Sequence, residues 1–352
     1  MASRLKDIAL ETGFSVNTVS LALRGSDRIK ETTREKIVSA AKKAHYVRNN
    51  VARSLVKQQT MTVGVILTDI TNPILTSVAH HIERLLAEQG YTMVFVTTDQ
   101  KLEQEKRSVD ILRAQQVDGM LVFPANHDKL GHLEPLQEAG YPLVLLAGSR
   151  TATFDLIAMD DTLGAYKAVR HLIELGHERI ALFSLGSDKL EGYEQALKEH
   201  RLWDPDLIFE TGGGDYEHGY RATPALFREK IPPTALLAAT DYLALGAISW
   251  CKANGVKIPE DLAVIGFDDI EAAKYSDPGL TSVTYDAARI SERAVNRLFE
   301  RIAQTQSSSL DGRMEKTILE PELALRHSSG SIPVHISQQA DRRRNIDDNA
   351  VT

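Results

Sequence analysis

The chain has 352 residues, 43% hydrophobic and 25% charged, with a formal net charge of −7. That is ordinary for a soluble globular protein, and the length is more than one core usually serves, so two or three domains are expected. No apolar run approaches the roughly 18 residues of a membrane span, the charged N-terminal stretch excludes a secretory signal, and a lone cysteine, Cys251, excludes an intrachain disulfide; a reducing cytoplasm is the expected home.

The charge is unevenly spread. Residues 1–60 hold twelve Lys and Arg against five Asp and Glu, which is +7, so the remainder carries −14. A basic head on an acidic body points to a polyanion that meets only the head.

In chain order, Leu5, Ile8 and Ala9 make one short apolar stripe at helical spacing, and Val19, Ala22 and Leu23 make another. They predict helices over 5–12 and 16–24, broken by Thr12-Gly13-Phe14-Ser15, with Ser15 as N-cap of the second. A third helix is predicted over 32–45, on Ile37, Ala41 and Ala44. The first two are each too short to persist alone, because nucleation costs more than a few turns return. Two helices joined by a short glycine turn with a third behind form a helix-turn-helix, here an all-α head over 1–48. In that geometry the second helix enters the major groove. Asn17 can then pair bidentately with adenine, and Val16 and Leu21 can meet thymine methyls. Arg4, Ser15, Thr18, Arg24 and Arg28 are placed to hold phosphates. The competing reading is a helical docking module, which would leave Leu21 in water without a reason.

Residues 49–60 are polar and basic and read as a linker able to form a turn or two of helix. From 61 the pattern changes. Apolar runs at 63–67, 92–97, 119–123, 142–146, 179–183, 234–238 and 262–266 alternate with amphipathic helices near 75–89, 102–115, 161–175 and 241–254. Such alternation means parallel sheets covered on both faces. A helix over 286–304 and a final strand over 316–326 follow, then a polar 331–352 expected to be a disordered tail. About ten strands are more than one small sheet holds, so the core over 61–330 reads as two α/β lobes. Lobe one takes about 61–160 and 290–320, and lobe two about 161–289 and 321–330. Ligands on such lobes sit at the carboxyl ends of strands, which places a small molecule in the cleft between them.

The enzyme reading finds no support. There is no GxxxxGK[ST] loop, no GxSxG elbow and no HExxH, and Gly212-Gly213-Gly214 lacks the GxGxxG spacing. No cofactor or metal is expected. A secreted solute-binding protein would share two lobes, but not a basic helical head.

At this point the chain resembles the lactose-repressor and galactose-repressor family of bacterial transcription regulators. The segments that carry the likeness run from Lys6-Asp-Ile-Ala9 and Ser15-Val-Asn-Thr-Val-Ser20 through Asn50-Val-Ala-Arg-Ser-Leu55 and Asp69-Ile-Thr-Asn-Pro73. They continue with His171-Leu-Ile-Glu-Leu-Gly-His177, Pro232-Pro-Thr-Ala235 and Gly266-Phe-Asp-Asp269. The resemblance implies a periplasmic-binding-protein-like core and an operator-binding repressor under small-molecule control, with an activator role still open. It implies a linker that folds into a hinge helix on specific DNA. Leu55, flanked by Ala52 and Arg53, then wedges into the minor groove beside its copy from a second subunit. That arrangement needs a homodimer on a pseudo-palindrome. Residues 331–352 lack the leucine repeat of the family's tetramers, so a dimer is expected.

The same resemblance gives an effector set for a sugar or related metabolite. Lys189 stands before Gly192-Tyr193 where the family often has arginine, and Thr240 precedes Asp241 where asparagine is common. Ile74 replaces an aromatic after Asn72-Pro73. Asp268 is an acceptor for hydroxyls, Tyr216 is a stacking aromatic, and Asp69 and Asp160 also face the cleft. Asp241, Asp268 and Tyr216 have plainer readings as caps or core residues.

Overall fold

The computed structural model describes residues 4–23, 25–46, 59–148, 153–307 and 313–330. Arg24, Ala52, Arg53, Leu55 and the 331–352 tail lie outside the described residues. The chain forms two compact units, residues 1–60 and 61–352.

The first unit holds α1 (Leu5–Thr12), α2 (Val16–Leu23) and α3 (Glu31–Lys43). The apolar stripes meet in one small core of Ile8, Ala9, Val19, Ala22, Ile37, Ala40 and Ala41. α1 stops because Gly13 adopts φ 72°, a left-handed cap that needs no Cβ, and its N–H returns to the Ala9 carbonyl at 2.9 Å. Two residues later Ser15 caps α2, its hydroxyl accepting the Thr18 N–H at 3.1 Å. The break between the helices is therefore fixed at both ends by local chemistry, and this aims α2.

The second unit is built on two six-stranded sheets. The first uses β1 (Thr62–Leu67), β2 (Thr92–Thr97), β3 (Gly119–Val122), β4 (Leu143–Leu145), β5 (Asp155–Met159) and β11 (Lys316–Leu319), in the order β11-β5-β4-β3-β1-β2, all parallel. The second uses β6 (Ile180–Ser184), β7 (Ile208–Glu210), β8 (Ala235–Ala238), β9 (Ala263–Asp268), β10 (Thr281–Thr284) and β12 (Leu323–Ala324), in the order β12-β10-β9-β8-β6-β7. Only the β10–β12 pair is antiparallel.

Helices cover both faces of each sheet. On lobe one these are α4 (Pro73–Glu88), α5 (Leu102–Ala114), the short α6 (Glu134–Glu138) and α12 (Ala287–Ser307). On lobe two they are α7 (Asp161–Glu174), α8 (Ser187–Glu199), α9 (Tyr216–Leu226), α10 (Asp241–Ala253) and the short α11 (Glu271–Tyr275). The inner strands are buried almost throughout, as a sheet covered on both faces requires, while the edge strands β2, β7, β11 and β12 are mostly half-buried.

Among the described residues the chain passes between the lobes three times: after β5, between β10 and α12, and between β11 and β12. One long final strand over 316–326 is therefore a correction. Pro321 lacks the N–H a continuing strand would donate, and the run splits into β11 in one lobe and β12 in the other. The two lobe-one strands that lead into the first and third passages, β5 and β11, are tied together at their far, N-terminal ends. Arg297 and Arg301 of α12 converge on the buried Asp155 of β5 at 2.7 and 2.9 Å, and the Glu315 N–H reaches the same carboxylate at 2.8 Å.

Candidate nucleic-acid interface and effector cleft

On the head, packing decides which residues of α2 face out. Val19 and Ala22 are buried, so Asn17 and Val16 are exposed, and Leu21 and Ser20 are partly covered. Val16 keeps 40% of its surface open although it is apolar. Ser15 and Thr18 sit side by side at the start of α2, their hydroxyls 2.8 Å apart. Arg4 precedes α1 and is exposed, its N–H donated to Asp7 at 2.7 Å, and Arg28 is exposed in the turn before α3. An exposed amide, a methyl-bearing face and hydroxyls on one short helix, with exposed cations before α1 and α3, can read and hold a duplex.

In the core, the carboxyl ends of the lobe-two strands and the N-termini of α7 and α8 bring charged side chains together. Lys189 lies one turn into α8. Its ammonium donates to the Ala239 carbonyl at 2.8 Å, stands 3.9 Å from the Phe267 ring centroid and is 3.8 Å from Asp161. α8 reaches this place because Gly192 presses onto the first turn of α7: a Cβ there would stand 1.9 Å from the Thr162 carbonyl oxygen. Tyr193 then turns inward and donates to the Ile180 carbonyl at 2.6 Å. The Gly-aromatic pair thus has a packing reason, and it fixes the distance at which Lys189 stands from the cleft.

Asp268 ends β9 in the same region. Burial pushes its carboxyl up to about 7; Lys189 opposes the rise and Asp161 adds to it. Asp161 is raised for the same first reason, with Lys189 pulling it down and Asp188 adding. Tyr285, on the second passage between lobes, is raised well above the ordinary phenol by burial, with Asp161 and Asp268 reinforcing. Lys189, Asp161, Asp268 and Tyr285 therefore form one electrostatic group. A neighbouring cavity of about 560 Å³ runs from Ala158 and Met159 of lobe one to Asp160, Asp161, Asp188 and Glu191 of lobe two. Such an arrangement offers acceptors to a hydroxyl- or amine-bearing ligand, with one cation beside them. Among the described residues no three His, Cys, Asp or Glu side chains could hold a metal ion.

The remaining expected contacts are placed differently. Asp160 lines the cavity, but one oxygen caps α7 by accepting the Leu163 N–H at 3.1 Å. Asp69 folds an Asx turn, accepting from the Thr71 N–H and hydroxyl at 2.7 Å each. Ile74 belongs to lobe one yet shares a buried apolar cluster with residues of lobe two, Phe183, Ala239 and Ile270 among them. Thr240 caps α10 by accepting the Leu243 N–H at 3.1 Å and donates to the Gly214 carbonyl at 2.8 Å. Tyr216 opens α9 and is 45% exposed.

Asp241 as an effector contact needs correcting. It is fully buried and both its oxygens are taken, one by the Ser282 hydroxyl at 2.6 Å and one by the Ile270 N–H at 2.8 Å. Asp161 and Tyr285 were not among the expected residues. Asp161 follows Asp160 directly, and the sequence does not say which of two adjacent carboxylates caps the helix. Tyr285 stands at a lobe junction that only the topology reveals.

Comparison with known proteins agrees with this geometry. Residues 4–49 match the family described as bacterial regulatory proteins, lacI family, and residues 169–329 match the periplasmic binding protein-like domain. The HTH-type transcriptional repressor PurR of Haemophilus influenzae (strain PittEE) is 32% identical over 337 residues, covering 93% of this chain and 99% of the relative. The repressor CytR of Escherichia coli (strain K12) is 30% identical over 341 residues, 94% and 98% of the two chains. The lac repressor dimer bound to operator and an anti-inducer superposes with TM-score 0.82 at 25% identity, covering 94% of this chain and all of the other. A complex of the regulator CelR with cellobiose does so with TM-score 0.67 at 27% identity over 93% and 99%. The chain belongs to the LacI family of transcriptional regulators. Its relatives are repressors rather than enzymes.

Proposed function

We propose that this protein is a cytoplasmic operator-binding repressor that works as a homodimer under the control of a small molecule held between its lobes. The observation that carries the reading is the pairing, in one chain, of an outward α2 face bearing Val16 and Asn17 with a two-lobed core whose junction gathers Lys189, Asp161, Asp268 and Tyr285. Asn17, Val16 and Leu21 read bases; Arg4, Ser15, Thr18, Arg24 and Arg28 hold phosphates. Ala52, Arg53 and Leu55 form the hinge that enters the minor groove. Effector binding changes the angle between lobes and with it the spacing of the two hinges, which requires only that the effector bind the two arrangements unequally. The effector is a polar metabolite rich in hydrogen-bond donors, contacted by Asp268, Lys189 and Asp161 and flanked by Asp160, Asp69, Tyr216, Ile74 and Thr240.

The test is a titration of the full chain on a selected palindromic site and on random duplex, across salt, for the parent and Leu55→Ala. Specific binding is expected to weaken about tenfold or more in the variant, as the loss of a wedge that bends DNA would give. Salt-sensitive binding to random duplex is expected to stay unchanged. Equal losses on both duplexes would remove the hinge from the account, and equal affinity of the parent for both would remove operator recognition itself.

A further inference from the structure

We propose that Arg326 and Ser282 are positioning residues for Asp268, holding the turn at the end of β9 so that its carboxylate stays at the cleft beside Lys189. This rests on the reading of Asp268 as an effector contact.

β9 ends in two consecutive non-glycine residues with positive φ, Asp268 at 111° and Asp269 at 51°. Side-chain-bearing residues adopt these conformations only where the surroundings over-determine them. Here the surroundings do. The Ser282 hydroxyl, on the neighbouring β10, accepts the Asp269 N–H at 3.0 Å and donates to Asp241 at 2.6 Å. The second oxygen of Asp241 takes the next amide, Ile270 N–H, at 2.8 Å. Two successive backbone donors are thus clamped from below by a buried hydroxyl and a buried carboxylate. Gly266 leaves the room for this, since a Cβ there would come within 2.1 Å of the Asp241 oxygen.

The other side of the turn is held by Arg326, beyond β12. One guanidinium nitrogen meets the Asp269 carboxylate at 2.5 Å and the other meets the Leu280 carbonyl at 2.6 Å. Its backbone is tied to the Thr281 hydroxyl at 2.8 Å. A planar two-nitrogen fork bridging a side chain and a backbone oxygen fixes orientation in a way an ammonium does not. Asp241 and Ser282 are fully buried, so neither offers surface to a ligand.

The charged and titratable groups facing Asp268 are Lys189 of α8, Asp161 of α7, Tyr285 at the lobe junction and Asp241 of α10. Held among them, an ionised Asp268 is costly, and Asp268→Asn is expected to raise stability at pH 8. The experiment measures that gain by urea unfolding of the full chain in four backgrounds: parent, Ser282→Ala, Arg326→Lys and Arg326→Ala. If the turn is positioned as proposed, the pH 8 gain falls by half or more with Arg326→Ala and Ser282→Ala, because a relaxed turn lets the carboxylate reach water. With Arg326→Lys it keeps an intermediate value. A purely structural role would lower the stability of each background and leave the gain unchanged. Loss of the Arg326 charge alone would enlarge it. Either of those results, or no gain in the parent, overturns the proposal. Should Arg326→Ala fail to fold, Ser282→Ala and Arg326→Lys decide. A metabolite response that survives Asp268→Asn would reject the cleft reading and leave this cycle still able to test the positioning.

Discussion

Asp268→Asn is expected to give a protein that is more stable than the parent above pH 7 and deaf to its effector. The sign follows from the direction of the shift. The folded carboxyl titrates at about 7 and the ordinary one at 3.8, so between these values the folded state holds a proton that the unfolded state has lost. Stability therefore falls as pH rises from about 4 to 7, and the full penalty remains above 7. At about 1.4 kcal/mol for each pH interval of one, the penalty reaches at most about 4 kcal/mol. An amide removes it. Urea unfolding at pH 8 and pH 4 checks this: the variant should gain at pH 8 and gain nothing at pH 4. A residue that lowers stability and stands at a cleft is what a functional carboxylate looks like. The second half of the result is read as the loss of any change in operator affinity when fractions of a cell extract's metabolite pool are added.

Asn17→Ala is expected to leave folding untouched and to weaken operator binding by about 1–3 kcal/mol for each half-site, the worth of a bidentate base contact. Asn17 is exposed on the first turn of α2, while Val19 and Ala22 carry the packing of that helix. The thermal midpoint should therefore stay where it is. The preference at one position of each half-site should relax, as read by binding to operators with every base at that position. An unchanged preference would remove Asn17 as a base reader.

The difference between these two residues shows what a sequence makes legible. Asn17 was readable because helical period and a glycine break decide which side of a short helix is buried, and the head folds on local contacts. The long parallel strands were readable for a similar reason: β1, β3, β8 and β9 are near-continuous apolar runs. β5 was missed because it begins with Asp155, a residue that reads as a loop until the two arginines of α12 are seen to neutralise it. β7 was missed because three residues at a sheet edge carry little pattern. α8 and α9 are interrupted in sequence by Gly192 and Gly219, which look like breaks. Both are packing sites where one helix backbone rests on another.

In the cleft, the placement of Lys189 and Asp268 was legible from their motifs, while that of their neighbours was not. Asp241 opens a helix and reads equally well as a ligand contact or a structural acceptor; only the positions of Ser282 and Ile270 decide. Ile74 reads as a ligand contact until it is found in a buried cluster made otherwise of lobe-two residues. Tyr285 has no local signal, because its place depends on where the chain crosses for the second time. Residues whose function comes from a neighbour far along the chain stay hidden, since spacing reports only on local structure.

The most direct test of the account is selection of binding sites from random duplex DNA by the full-length protein, at moderate salt, with and without a metabolite pool. Enrichment of a palindromic site with two half-sites and a deformable central step is expected, and a change in enrichment when the pool is added. Recovery of no preferred sequence under either condition would contradict it, and would leave the α2 face as a docking surface rather than a reader of bases.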